Sequence, residues 1–89
     1  MTLLRTHLGG ALRTARLAQS RSLREVAKSA RVSLGYLSEV ERGQKEPSSE
    51  LLNSICEALG ITLPSLLADV THSLRAAETP TLTVARDAA

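Results

Sequence analysis

The sequence predicts an all-α domain built from five helices, and three observations lead there. Apolar residues recur three and four positions apart in successive segments, the period of a helix with one buried face. Serines stand where helices would begin and glycines where they would end. The apolar content is aliphatic, with Tyr36 the sole aromatic residue and few β-branched runs, which favours packed helices over sheet. The 89 residues suffice for one domain with a modest stability margin.

The first helix is expected over 4–19, with Leu4, Leu8, Leu12 and Ala15 on one face and Arg5, Arg13 and Arg16 on its flanks. Gly9 and Gly10 oppose it by roughly 1 kcal/mol each relative to Ala, a loss that packing must offset. Ser22 and Glu25 form an S-x-x-E capping box for the second helix, whose inward residues are Val26, Ala27 and Ala30. A turn at Arg31-Val32 leads to Ser33 as the next N-cap and to a third helix over 34–42, with Leu37 and Val40 inward and Gly43 as its stop. The fourth helix starts near Ser48 or Ser49, carries Leu51, Leu52, Ile55, Cys56 and Leu59, and ends at Gly60 with Ile61 folding back on its last turn. Pro64 suits the first position of a fifth helix, whose stripe Leu66, Leu67, Val70 and Leu74 extends past what a small core needs. Thr79-Pro80-Thr81 should break that helix and leave a flexible tail.

Charge is unevenly distributed. Residues 13–45 hold eight basic and three acidic side chains, a net +5, whereas 46–89 hold two basic and six acidic ones, a net −4. The basic part suits a polyanion, or is simply a set of solvated helix faces. One cysteine, Cys56, leaves no intramolecular disulfide and no cysteine-rich metal site, consistent with a reducing cytoplasm. No secretion signal or stretch of about 20 apolar residues is present, so a cytoplasmic location without membrane contact is expected. His7 and His72 stand far apart along the chain, and no nucleophile–base set, phosphate loop or metal-ligand spacing accompanies them. Neither an enzyme nor a cofactor is expected.

Two short serine-capped helices joined by a tight turn are the geometry that lays a second helix into a DNA major groove, although any helical hairpin shares it. Specific residues sharpen the choice. Ser22-Leu23-Arg24-Glu25-Val26-Ala27, Ala30-Arg31-Val32-Ser33, Tyr36-Leu37-Ser38-Glu39-Val40-Glu41-Arg42-Gly43 and Pro47-Ser48 together resemble the Cro/C1 (XRE) family of helix-turn-helix domains over roughly residues 8–67. Within that family, Val32 to Gly43 followed by Glu46-Pro47-Ser48-Ser49-Glu50-Leu51-Leu52 is similar to the actinobacterial Clp gene regulators, transcription factors for Clp protease genes.

The resemblance implies a five-helix lambda-repressor-like DNA-binding domain with a helix-turn-helix over 1–68, followed by a dimerisation extension and tail over 69–89. It places Leu34, Gly35, Tyr36, Ser38 and Glu39 on the base-facing side of the recognition helix. There Glu39 is suited to accept from a cytosine amino group, or is repelled by DNA if it finds no such base, and Leu34 or Tyr36 is suited to lie on a thymine methyl. Tyr36 otherwise packs on the surface without reading a base. Ser33, Arg42, Lys45, Ser48 and Ser49 are expected at phosphates, as are Arg13 and Arg24 unless these two are merely solvated. Arg16 and Glu41 stand where the family has a salt bridge tying the first helix to the recognition helix.

Three residues depart from the family pattern. Leu23 replaces a common Gln that reaches DNA. Arg31 replaces the usual turn Gly and must either become left-handed, at about 1–2 kcal/mol, or shift the turn. Gly35 weakens the recognition helix but permits close backbone approach. Double-stranded DNA and a second copy of the chain are the expected partners, with Leu66, Leu67, Val70 and Leu74 as the candidate dimer interface on a roughly palindromic operator; Leu66 and Leu67 otherwise complete the core, whereas Val70 and Leu74 have no evident internal partner. RNA polymerase and Clp protease are candidate further partners, the latter because Arg86-Asp87-Ala88-Ala89 resembles the small apolar C-termini that Clp-type proteases recognise; the default for this end is a disordered tail. The rival reading is an antitoxin-like or adaptor module that uses the same helices to bind protein.

Overall fold

A computed structural model describes the backbone of residues 3–88 and side chains through residue 78. Five helices follow in order: α1 (Leu4–Ala18), α2 (Leu23–Ala30), α3 (Leu34–Glu41), α4 (Ser49–Leu59) and α5 (Leu63–Ala88). No strand occurs among the described residues.

Serine and threonine oxygens set the helix starts. Ser22 Oγ accepts from the Glu25 amide at 3.1 Å while Glu25 Oε1 accepts from the Ser22 amide at 2.9 Å, a complete capping box. Ser33 and Ser48 each accept from the amide three residues on. Thr62 does the same for Ser65, so α5 opens at Leu63 and Pro64 occupies its second position rather than its first. The shift costs no hydrogen bond, because none of the first four amides of a helix has a helical acceptor. Left-handed residues close α2 and α4: Arg31 at φ 60° and Gly60 at φ 67°. The Val32 and Ile61 amides reach back to Ala27 and Cys56 carbonyls at 3.0 Å, which satisfies the ends of both helices.

The core joins Leu8 and Leu12 of α1, Val26, Ala27 and Ala30 of α2, Leu37 and Val40 of α3, Ile55, Cys56 and Leu59 of α4, and Leu66 and Val70 of α5. Among the described residues no charged or polar one is buried with them. Helix α1 packs on α3 and α5, and α2 packs on α3 and α4. Leu4, expected inward, is exposed because it precedes the first turn that meets the core.

Two corrections concern α5. Leu66 and Val70, expected at a dimer interface, are 0% and 2% exposed and belong to the core. The domain needs them to close over α1 and α4, so no partner can touch them without unfolding the chain. Leu67 is 46% exposed, and Leu74 is half-buried against the core. Furthermore, the helix does not break at Thr79-Pro80-Thr81 but continues to Ala88. Proline removes one amide donor and crowds one carbonyl, at a cost of about 3 kcal/mol in a helix interior, and the local pattern does not account for the continuation. The expected boundary at residue 68 therefore falls inside a continuous helix. The C-terminal residues Arg86 to Ala89 lie outside those whose side chains are described.

Candidate nucleic-acid interface

Helix α3 has eight residues, too few to be stable alone, so its placement depends on what holds it. Three contacts from α1 do so. At the C-terminal end of α1, Arg16 Nε donates to Glu41 Oε2 at 2.8 Å and Nη2 donates to Oε1 at 2.9 Å, a two-pronged ion pair. Its side chains are only 12% and 7% exposed. The third prong of Arg16, Nη1, donates to the Arg21 carbonyl at 2.9 Å and so ties in the α1–α2 turn. The hydrogen bond to Glu41 and its negative charge raise the Arg16 pKa further above its ordinary value, outweighing the opposing effect of burial.

The second contact is a close approach of backbones. A Cβ on Gly9 would lie 2.2 Å from the Val40 carbonyl oxygen and 2.7 Å from that of Glu41, so only glycine lets α1 lie this near to α3. In the third, Arg5 Nε donates to the Gly43 carbonyl at 3.0 Å, just beyond the end of α3. Gly43 itself has φ +74° and abuts Thr6, which fixes where the chain leaves the helix.

The opposite side of α3 is open. Leu34 is 36% exposed, and a Cβ placed on Gly35 would meet nothing within 4 Å. Tyr36, Ser38 and Glu39 are half-buried, with Tyr36 leaning partly on the core. Ser33, Arg42, Ser48 and Ser49 are exposed around this surface in sequence, as are Arg13 and Arg24 on α1 and α2. The guanidinium groups of Arg13, Arg24 and Arg42 have no acidic partner among the described residues. At the start of α4 the amides of Ser49 and Glu50 have no helical acceptor, although the Glu50 carboxylate on the same turn offsets part of the positive end. Lys45 is differently engaged: its Nζ is 3.8 Å from Glu39 Oε1 and 5.9 Å from the centroid of the Tyr36 ring.

Several internal roles escaped the sequence reading. Arg21 Nη1 donates to the Ala58 carbonyl at 2.5 Å and Gln19 Nε2 to the Leu59 carbonyl at 2.6 Å, so the α1–α2 turn caps the C-terminal end of α4. Arg16 and Arg21 thus serve the fold, and the excess of positive charge in 13–45 overstates what is available to an anion. Nothing in the local pattern separates Arg21 from Arg24; only the position of α4 does. The two histidines, remote in sequence, line one groove of about 600 Å³ between α1 and α5, where His7 Nδ1 and Ser73 Oγ share a hydrogen bond. No cluster of three or more potential metal ligands occurs among the described residues. No single helix among them is long and apolar enough to cross a membrane.

Known proteins share both the sequence and the architecture. The helix-turn-helix family matches residues 12–66. The transcriptional regulator ClgR of Mycobacterium tuberculosis is 63% identical over 67 residues, covering 75% of this chain and 60% of that protein. The chain thus spans about three-fifths of the length of the curated relatives it matches. The crystal structure of the clp gene regulator ClgR from Corynebacterium glutamicum superposes with a TM-score of 0.82 at 49% identity, over 93% of this chain and 90% of that one. The controller protein C.Esp1396I, solved bound to a 25 base pair operator site, shares the fold with a TM-score of 0.76 at 15% identity, over 83% of this chain and 97% of that one. Capped α2 and α3, the left-handed turn between them and the sequence match lead to one conclusion: the chain belongs to the helix-turn-helix family of the Cro/C1 type.

Proposed function

We propose that the chain is a transcriptional regulator that reads duplex DNA with the outer side of α3 and controls Clp protease and proteostasis genes. One observation carries the reading. Gly35, like Gly10 of α1, sits inside a helix without a left-handed backbone, and a Cβ on it would meet nothing within 4 Å; unlike Gly10 it lies on the open side of the helix that the family uses for recognition, although glycine costs a helix about 1 kcal/mol relative to Ala. A surface outside the chain that must come close to the α3 backbone explains its presence, and the floor of a major groove is such a surface.

In this reading Leu34, Gly35, Tyr36, Ser38 and Glu39 face bases, and Arg13, Arg24, Ser33, Arg42, Ser48 and Ser49 hold phosphates. A homodimer reads two half-sites of a roughly palindromic operator. Leu67 and the part of α5 beyond the core supply its contact, since Leu66 and Val70 are enclosed. RNA polymerase and Clp protease are the further partners, and the cytoplasm is the site of action.

The test is binding to a pool of random-sequence duplexes at rising salt, followed by sequencing of what is retained. Affinity falls steeply with salt if several phosphates are neutralised. The retained sequences converge on a two-fold motif, and Glu39→Ala changes that motif. Salt-independent retention, or no retention in dilute buffer, overturns the proposal in favour of a protein-binding module.

A further inference from the structure

Lys45 belongs to the loop between α3 and α4, and three features fix where that loop goes. Gly43 turns left-handed, the Gln44 amide donates back to the Glu39 carbonyl at 2.9 Å, and Arg5 holds the Gly43 carbonyl from behind. The chain is thereby returned over the outer C-terminal part of α3. Lys45 then meets Glu39 and Tyr36 together, two of the residues assigned to base reading. Glu39 is an acidic group among the residues assigned to base reading, and a bare carboxylate approaching a polyanion is repelled.

We infer that Lys45 is a positioning residue for recognition rather than a simple phosphate contact: it neutralises Glu39 and rests on the Tyr36 ring, and it keeps both contacts in the DNA complex. The inference rests on the DNA-binding reading and adds to it a device by which an acid can face DNA. The pair is loose in the free chain, with side chains 55% and 41% exposed, so it adds little to folding. Beside DNA, with water displaced, the same attraction grows, while the phosphates compete with Glu39 for Lys45.

The sign of one coupling tests this. Wild type, Lys45→Gln, Glu39→Gln and the double variant are compared by affinity for a duplex selected from the random pool and for a random-sequence duplex of equal length. Thermal midpoints confirm that all four are folded. If the pair persists on DNA, Lys45→Gln weakens binding at least about threefold more when Glu39 is present than when it is Gln. Lys45→Gln also lowers the ratio of selected to random affinity, and Lys45→Arg restores it. If Lys45 leaves Glu39 for a phosphate, its loss is smaller with Glu39 present; if the two are independent, the losses are equal. Either result overturns the inference. Failure of wild type to bind either duplex at low salt instead removes the DNA-binding reading itself.

Discussion

Gly9 and Gly35 are chemically the same residue in comparable helical settings, and the chain uses them in opposite ways. Gly9 lies in the seam between α1 and α3, where an added methyl would strike the carbonyls of Val40 and Glu41. Gly35 lies on the far side of α3, where an added methyl would enter empty space. The seam is closed by an ion pair, a backbone contact and the bond from Arg5; on the far side only Lys45 reaches Glu39 and Tyr36, and the space around Gly35 is open. A glycine explained by its own fold marks where rigidity is needed. Gly35, which the fold leaves unexplained on the open side of the candidate recognition helix, is where we propose that DNA arrives.

The largest effect expected from this contrast is at the seam. Gly9→Ala should destabilise the domain by about 3 kcal/mol or more, since the clash is with backbone and no side chain can rotate away. Thermal unfolding measures it, and an unchanged midpoint would mean that α1 and α3 are not so close. Next comes the ion pair. Glu41→Gln should cost roughly 2–3 kcal/mol by leaving the Arg16 charge half-paired in a mostly buried setting, while Arg16→Met combined with Glu41→Leu should recover most of that loss. Equal destabilisation by the single and double changes would show that the pair is not what holds α3.

On the open side the sign reverses. Gly35→Ala should stabilise the free protein by about 0.5–1 kcal/mol through helix propensity while weakening its DNA binding. A variant that is both more stable and equally retentive of DNA breaks the comparison, because Gly35 would then have no external reason. The smallest effect is at the start of α2. The backbone amide and then the hydroxyl of Ser22 hold the Glu25 carboxyl below its usual range. Its ionised form is therefore favoured by folding, so its contribution is present at neutral pH and is lost as pH falls through that lowered value. The stability difference between wild type and Glu25→Gln should accordingly shrink in acid, and a difference that stays constant with pH would argue against an ionised capping box.

Much of the architecture was legible because its signals are local. Serine caps, left-handed stops and the apolar periods of α2, α3 and α4 act across three or four residues, and the capping box at Ser22-Glu25 needs no tertiary partner. The turn at Arg31 illustrates the limit of such reasoning. The residue type left two outcomes open, and the chain adopts the left-handed one at φ 60°, where the Val32 amide bond to Ala27 offsets the strain. The stop expected at Pro80 did not occur, since α5 runs on to Ala88 despite the usual cost of an interior proline.

The five helices and the serine caps of α2, α3 and α4 were legible in the sequence alone, because each depends on residues within one or two turns of one another; the candidate recognition helix was legible through the family resemblance. Tertiary structure alone decided which arginines serve the fold, that Leu66 and Val70 are core rather than interface, that Gly9 is a contact point, and that Lys45 meets Glu39 and Tyr36. Those outcomes depend on where α1, α4 and α5 lie in space relative to α3. Segments far apart along the chain meet only after the helices have packed, and no short window of sequence encodes the distance between them.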